Sequence, residues 1–527
     1  MNGQLLDHLG RPLVQSRISR ASRESGAYRG SIGNYRPHRL LSSEGEYGER
    51  RLTQDRAQDL YANDFAARSA VDAISANSVG TGLVPQPHIP HKLLNISEEE
   101  AAEVKDQMEW IWAEWSAQAD AAGRLHFEDI QLSGIKSMLR MGELLHLPVM
   151  EEGDGRSFSL AIQTLSPKRL RTPEDLSIDP YIRDGVHLSP SGRPLGYWLA
   201  APAPAYASGL DCDGLSAAMS SADFRYVPAR VGHRPGIFHL FRQDEEEQTR
   251  GVSTLSTGVK LFRNLADAID YELYAQIIAA SFPVFFALEG GQSGLPEAVR
   301  EQYGLPTEDP GEKRYYQSVG PGEILYGNPG EKPEILESKR PSQNFMNFAE
   351  LVLRAEGAAA GISYETMLRD FSKSNYSSSR AALNEDWKTF LLYRSCFSRL
   401  YCQPIWNMVQ EEAWLRGLLS LPKQAPDFYE ARFLWCNCYW YGPSRGFIDP
   451  VKEIQANVTA IANRLMTRHE HFAQYGADFT ESMDTIESEE KRLAALSKAA
   501  PAVSVRRSGS ASVEQADEKQ DDQNADE

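Results

Sequence analysis

The sequence has no long apolar run. Its longest, Ile277 to Leu288, contains Pro283 and falls short of the roughly 20 residues that a membrane-crossing helix needs. The first residues, Met1 to Leu13, are polar and lack the apolar centre of a secretory signal, so the chain is expected to stay in the cytoplasm where it is made. Cysteine is scarce: Cys212, Cys396, Cys402, Cys436 and Cys438 are odd in number and unevenly spaced. They fit free thiols in a reducing compartment and not a disulfide framework. Basic charge is in deficit, with 55 Lys and Arg against 73 Asp and Glu and a net charge of -18. Gripping phosphates depends on Lys and Arg displacing condensed counterions, so this balance argues against a surface whose main task is to hold nucleic acid.

Catalytic signatures are missing as well. No Gly-x-x-x-x-Gly-Lys-Ser/Thr loop, Gly-x-Ser-x-Gly elbow or His-Glu-x-x-His helix occurs in the chain. Gly80-Thr81-Gly82 lacks a third glycine and runs into Leu83-Val84-Pro85, so it reads as a helix stop and not a phosphate loop. His469-Glu470-His471 is too tight for one helical face, and His88 and His91 have no Cys or acidic companions. Cys436 and Cys438, beside Trp435 and Trp440, fit a strand, and no second cysteine pair completes a zinc site. Asp211-Cys212-Asp213-Gly214 lacks the later ligands of a calcium loop, and Asp244-Glu245-Glu246-Glu247 reads as a solvated charge run. No catalytic residue, metal ligand or cofactor is expected, although paired carboxylates scattered along a chain would leave no linear motif.

What is present suits a large, mostly helical α+β protein. At 527 residues, with 9 Trp, 22 Tyr and 20 Phe, several domains with substantial cores are expected. Residues 1–50 carry Arg11, Arg17, Arg20, Arg23, Arg29, Arg36 and Arg39 without apolar periodicity and read as a flexible basic arm, either solvated or touching DNA or a neighbouring subunit. Phe65, Val71, Ile74 and Val79 fall at helical intervals; Glu98 to Ala119 forms a second helix with Val104, Met108, Ile111 and Trp115 on one side and acids in its first turn. Trp110, Trp112 and Trp115 are expected to pack in the core and at interfaces. Phe158, Leu160 and Ile162 alternate with smaller residues as a half-buried strand does, and Gly185 to Ala200 reads as a hairpin turning at Ser189 to Gly192. Residues 201–223 form a surface loop rich in Ala, Ser, Gly and Pro.

Long helices dominate the second half. Leu261, Leu265, Ile269, Leu273 and Ile277 recur every fourth residue behind a cap at Ser253 or Thr254, predicting a helix of about 30 residues and about 45 Å. After a Gly- and Pro-rich insert with a short strand at Glu323 to Tyr326, Phe345, Phe348, Leu351, Val352, Ala355 and Ala359 mark another helix, closed at Gly361. A third, capped by serine within Ser372 to Ser379, buries Leu383, Trp387, Phe390, Leu391, Phe397 and Leu400 until Pro404 kinks or interrupts it. Val451 to Leu496 reads as further helices broken near Gly476, and 501–527 as an acidic disordered tail.

Several segments, taken in order, carry a resemblance over about residues 55 to 496. They are Asn63 to Gly82, Asp120 to Glu143, Leu165 to Leu170, Asp184-Gly185-Val186 and His239-Leu240-Phe241. Then come Arg250-Gly251-Val252, Gly361 to Arg380 leading into Ala381-Ala382, and Asp449 to Glu453. In this order and spacing the chain resembles the portal proteins of tailed bacteriophages, specifically the lambda type. The arm, the 201–223 loop and the tail lie outside the pattern.

The resemblance implies a portal fold with wing, two-helix stem, small α/β clip, tunnel loop and helical crown. By order, 51–252 would be the wing, 253–289 and 343–362 the stem helices, and 290–342 the clip. Residues 363–380 would be the tunnel loop, 381–449 the wing spine and return, and 450–500 the crown. The family implies a homo-oligomeric ring, usually of twelve subunits, at one capsid vertex of the virion. Through it double-stranded DNA is packaged and ejected, with the terminase large subunit, scaffold, major capsid protein and head-tail connector as partners and no membrane. ATP hydrolysis belongs to terminase, which agrees with the missing nucleotide loop. Ser372, Lys373, Ser374, Asn375, Tyr376, Ser377, Ser378 and Arg380 become the DNA-tunnel candidates, with the cations contacting phosphate and the serines either exchanging hydrogen bonds with it or merely capping the next helix. Two alternatives are another virion protein, such as a connector or capsid subunit, and a metal-dependent nuclease or hydrolase.

Overall fold

A computed structural model describes residues 42–153, 155–201, 223–280, 284–286, 324–326, 343–373, 375–445, 450–468, 471–472 and 479–499. The chain divides into two units, one up to Pro443 and one from Ser444.

The first unit opens with α1 (Ser42–Asn63) and α2 (Phe65–Ser78), separated at Asp64, whose carboxylate caps α2 by accepting from the Ala67 amide. Helix therefore begins inside the stretch expected to be a flexible arm. The reason is tertiary: Arg50 is buried on the same unit, a contact that apolar periodicity does not register. Ala66, Ala67, Ala70 and Ala73 form the buried face of α2, and small side chains there let several helices approach it closely. Gly80, at φ +62, ends this helix in the left-handed region, as its position in the sequence predicts.

Next come β1 (Val84–Pro87), α3 (His91–Leu94), α4 (Glu98–Ser116) and α5 (Phe127–Met141). A capping box between Ser97 and Glu100 starts α4, which buries Val104, Met108, Ile111 and Trp115 as predicted. Trp112 packs at the centre of an aromatic cluster, 4.9 Å from Trp115, 5.1 Å from Phe127 and 5.4 Å from Trp406, whereas Trp110 is exposed. Truncating a ring such as Trp115 or Trp406 to Ala is worth about 3–5 kcal/mol.

Two antiparallel sheets follow. The first has the order β10-β2-β3, from β2 (Glu143–Met150), β3 (Leu160–Leu165) and β10 (Phe238–Phe241). Ala161 is buried beside Leu160 and Ile162, so the expected alternation fails there, and Ile162 exchanges backbone hydrogen bonds with Ala119 and Ala121, which pairs the outer edge of β3. The second sheet runs β4 (Ile182–Arg183), β5 (Val186–Leu188), β6 (Pro194–Ala200), β7 (Phe224–Pro228), with β5 and β6 forming the predicted hairpin. A small core of Leu145, Leu147, Leu170, Val186, Tyr197, Leu199 and Ile237 joins the sheets. A ribbon of β8 (Arg230–Val231) and β9 (Arg234–Pro235) leads into β10.

The helix α6 (Val259–Ala280) starts later than the cap at Ser253 or Thr254 predicts, because a 3-10 turn at Ser256–Gly258 precedes it. Ser253 caps that approach and not the helix itself, accepting from the Leu255 amide. Of the insert, a parallel pair of β11 (Val284–Phe286) and β12 (Ile324–Tyr326) is described. Then come α7 (Gln343–Ala360), α8 (Tyr364–Leu368) and α9 (Tyr376–Phe397), which continues through a π turn at Ser398–Cys402 into α10 (Gln403–Leu415). The π turn lies just before Pro404 and absorbs the missing proline N–H, so the predicted interruption becomes a local widening of one continuous helix. Tyr401, Ile405, Trp406 and Val409 on this stretch form the centre of the main core. After α11 (Arg432–Trp435), β13 (Cys438–Tyr441) pairs with β1, so Cys438 does lie in a strand.

The second unit contains α12 (Pro450–Ala462) and α13 (Phe479–Ala499). The expected break at Gly476, Cys212 with its loop, and the acidic tail lie outside the described residues.

Candidate functional site

The segment from Gly361 to Arg380 is held at both ends by α9. Ser363 caps α8, and the buried Asp386 carboxylate on α9 accepts from the Ser363 amide (2.8 Å), the Ser363 hydroxyl (2.6 Å) and the Thr366 hydroxyl. Ser69 on α2 donates to the Met367 carbonyl at 2.5 Å. Arg369, at φ +58, ends α8, and Asp370 accepts from the Ser372 amide.

The candidate residues then divide. Lys373 is exposed, but its Nζ is 2.8 Å from Glu350 on α7, so it is paired within the chain. Asn375, not a serine, is the cap of α9: its Oδ1 accepts from the Ser378 amide, and Ser378 Oγ accepts from the Asn375 amide. The serine-cap expectation is corrected to an Asn375–Ser378 capping box, because the asparagine holds the extended backbone that an N-cap requires. Tyr376 opens the helix, and Ser377, Ser378 and Arg380 lie in its first two turns, so the predicted loop stops at Asn375. Ser372, Ser377 and Ser378 are exposed and Arg380 is half-buried, while Ser374 lies outside the described residues.

A second cluster was not anticipated from the sequence. Arg250, 1% exposed, donates from Nε to Glu143 Oε2 (2.8 Å), from Nη2 to Glu143 Oε1, and to the carbonyls of Pro167, Leu170 and Asp184 at 3.3, 3.0 and 2.6 Å. Glu143, fully buried, also accepts from the Gln54 side chain, the Gly251 amide and His239 Nε2, the last at 2.9 Å. Arg50 reaches Asp184 at 2.5 Å and the Gly251 carbonyl at 2.6 Å. Gly142 and Gly251 touch through their backbones: a Cβ on Gly251 would lie 2.0 Å from the Gly142 carbonyl oxygen.

Burial alone would raise the Glu143 carboxyl, but the charge and hydrogen bonds of Arg250, helped by His239, hold it well below the usual carboxylate range. Burial drives His239 below its ordinary value despite Glu143, so the neutral ring donates its Nε2–H. The cluster is saturated with internal partners and presents no exposed reacting atom. Its chemistry is anchorage of the approach to α6. Apart from Arg50 and Gln54, its members come from separate segments that carry the resemblance: Glu143, Pro167 and Leu170, Asp184, His239, Arg250 and Gly251. A charged residue opening the apolar run Glu143 to Met150 was the available signal, but nothing in the sequence names its partner.

Among the described residues no group of three or more His, Cys, Asp or Glu could hold a metal ion, and no helix is long and apolar enough to cross a membrane. The four described cysteines are free, and burial pushes the Cys436 thiol up to about 12. His91 does gain an acidic neighbour, Glu98 at 3.5 Å, brought close by the turn before α4.

Against known families, residues 32–394 match the model of the phage portal protein, lambda family. The chain belongs to the lambda family of phage portal proteins. It is 28% identical over 473 residues to the portal protein of Escherichia phage N15, covering 86% of this chain and 87% of that protein. It is 26% identical over 472 residues to portal protein B of Escherichia phage lambda, covering 86% of each. Among solved structures, a chain of the neck of a native gene transfer agent (GTA) particle, computed with C12 symmetry, is 16% identical with a TM-score of 0.39, covering 80% of this chain and 93% of that one. A chain of the empty particle's neck, computed with C6 symmetry, covers the same shares at 16% identity with a TM-score of 0.40. The protein is thus a structural portal protein of a phage virion. The matched region of this portal protein takes in the whole Arg250 cluster and every candidate from Ser372 to Arg380.

Proposed function

We propose that this portal protein assembles as a closed ring, of twelve subunits, at one capsid vertex and forms the channel through which double-stranded DNA enters and leaves. In this reading it acts as a conduit and not as a catalyst. Terminase docks on the 290–342 clip during packaging, scaffold and major capsid protein surround the ring during assembly in the host cytoplasm, and a head-tail connector follows. The observation that carries the reading is the bare far end of the α6–α7 pair. These helices meet where Gly258 approaches Ala359, and toward their other ends Tyr271, Leu273, Tyr274 and Ile277 on α6 and Met346, Phe348 and Leu351 on α7 are all at least half exposed. So many large apolar side chains on one hairpin of helices suit a stem packed against neighbouring subunits. In the second unit Val451, Ile454 and Val458 are similarly exposed along α12, as crown helices packed around a ring would be.

The acidic balance of -18 fits a channel that lets a phosphate backbone slide without adhesion. Lys373 and Arg380 are the local exceptions at the tunnel segment. Lys373 would exchange its Glu350 partner for passing phosphate, while Asn375 and Ser378 set the start of the spine helix.

Electron microscopy of the purified protein is expected to show closed rings, and Leu273→Asp with Phe348→Asp is expected to leave folded but unassembled subunits. Unaltered rings from that double variant refute the stem assignment. Lys373→Glu and Arg380→Glu are expected to assemble normally yet package less DNA; normal packaging by both removes the tunnel role.

A further inference from the structure

Glu356 lies on the last turns of α7 and is fully buried, and neither of its carboxyl oxygens has a hydrogen-bond partner. It stands where three things meet: the end of α7, the break between α1 and α2 at Asp64, and the turn into α8. That joint is tight. The Ile362 amide donates back to the Gly357 carbonyl at 2.9 Å, and a Cβ on Gly357 would meet the Ile362 oxygen at the same distance. Ser69 on α2 ties α8 down through the Met367 carbonyl.

A buried, unpartnered carboxylate is among the costliest groups a fold can carry, and the surroundings here offer it no relief. The elements packed on α7 carry charges of both signs. At the α1–α2 break Asp64 carries the same sign, and it already caps α2. On α2, Arg68 is turned to Tyr61 and Asp72. The helix α6 brings Lys260, Asp270, the buried Glu272 and Arg263, the last paired with Asp267, and α8 brings Glu365 and, at its end, Arg369. Among the described residues Asp64 alone acts on Glu356, and it repels.

We propose that Glu356 is held as a neutral carboxylic acid while the joint between α7, α2 and α8 is closed, and that giving up its proton opens this joint and frees residues 361–373. The step breaks the carboxyl O–H bond and passes the proton to water admitted by the opening. It requires no other reactant. Burial first, and the Asp64 charge second, push the Glu356 carboxyl up to about 8, which sets the window of the effect. An acid whose folded value lies above its ordinary 4.5 keeps the closed joint intact below that ordinary value; closure weakens as pH rises toward about 8 and then levels off. The inference concerns the joint itself and goes beyond the channel reading, since its test requires neither ring nor DNA.

The test is amide hydrogen exchange of residues 361–373 in the full-length protein from about pH 5 to about pH 9, corrected for intrinsic rates. In the wild-type protein the local opening constant is expected to rise about tenfold per pH unit up to about 8 and then flatten. Glu356→Gln is expected to remove the rise, and Asp64→Asn to move the plateau to lower pH by lifting the repulsion. A flat wild-type profile, or a Glu356→Gln profile that climbs with the wild type, overturns the proposal. Should Glu356→Gln fail to fold, the Asp64→Asn profile decides: an unmoved plateau overturns it.

Discussion

Replacing Arg250 by Met tests the buried anchor at the root of α6. The methionine fills similar space but leaves the fully buried Glu143 without its counter-charge, and the carbonyls of Pro167, Leu170 and Asp184 lose their donor. Breaking a buried pair from one side costs about 3–5 kcal/mol, and the loss is expected at the upper end of that range because the carbonyls lose their donor as well. Glu143→Gln keeps the shape and leaves the guanidinium with only the Asp184 carboxylate, 3.4 Å from Nη1, as counter-charge, at about 3 kcal/mol. Removing both charges together, Glu143→Leu with Arg250→Met, should cost at least about 2 kcal/mol less than the sum of the singles, because the penalty arises from a charge left alone. Urea unfolding of the purified subunit, followed by tryptophan fluorescence, measures all three. The carboxyl is depressed in the folded state, so its contribution is complete above the ordinary value of 4.5 and is lost as pH falls through the folded value. Without Arg250, burial raises the Glu143 carboxyl, so the difference between wild type and Arg250→Met should widen as pH rises above about 5 and narrow in acid, where the variant's buried carboxyl takes up a proton. Singles that each cost under about 1 kcal/mol, or a double that is simply additive, refute the reasoning.

Two further outcomes are expected. Gly251→Ala should prevent stable folding, because its Cβ would sit 2.0 Å from the Gly142 oxygen, whereas Gly123→Ala, with nothing within 4 Å, should cost only about 1–2 kcal/mol for its left-handed backbone; yield and thermal midpoint separate them. Glu411 is fully buried and accepts from His233, Arg234, Tyr429 and Arg432, so Glu411→Ala should release the β8–β9 ribbon and raise amide exchange at residues 230–235, with a loss of about 3–5 kcal/mol in urea.

Much of the architecture was legible because it follows from local rules. The apolar stripe of α4, the stop at Gly80, the hairpin of β5 and β6 and the paired helices around an insert each rest on periodicity or on residues with special backbone freedom. Where partners lie far along the chain, the sequence was silent. The helical start at Ser42 depends on Arg50 finding Asp184, and the pairing of the outer edge of β3 at Ile162 on the distant chain between Ala119 and Ala121. Likewise Asn375 competes with five nearby serines for the cap of α9, and only backbone geometry selects it.

The ordered segments also determined the family, since their types and spacing are properties of the chain itself. The tertiary structure decided how those segments meet: Glu143, Leu170 and Asp184 accept from the guanidinium of Arg250, and His239 and the Gly251 amide donate to Glu143. It likewise decided that Lys373 rests on Glu350 and that Glu356 is sealed without a partner. Burial and pairing of charge are relations between distant positions, and they acquire an energy only when folding removes the water between them.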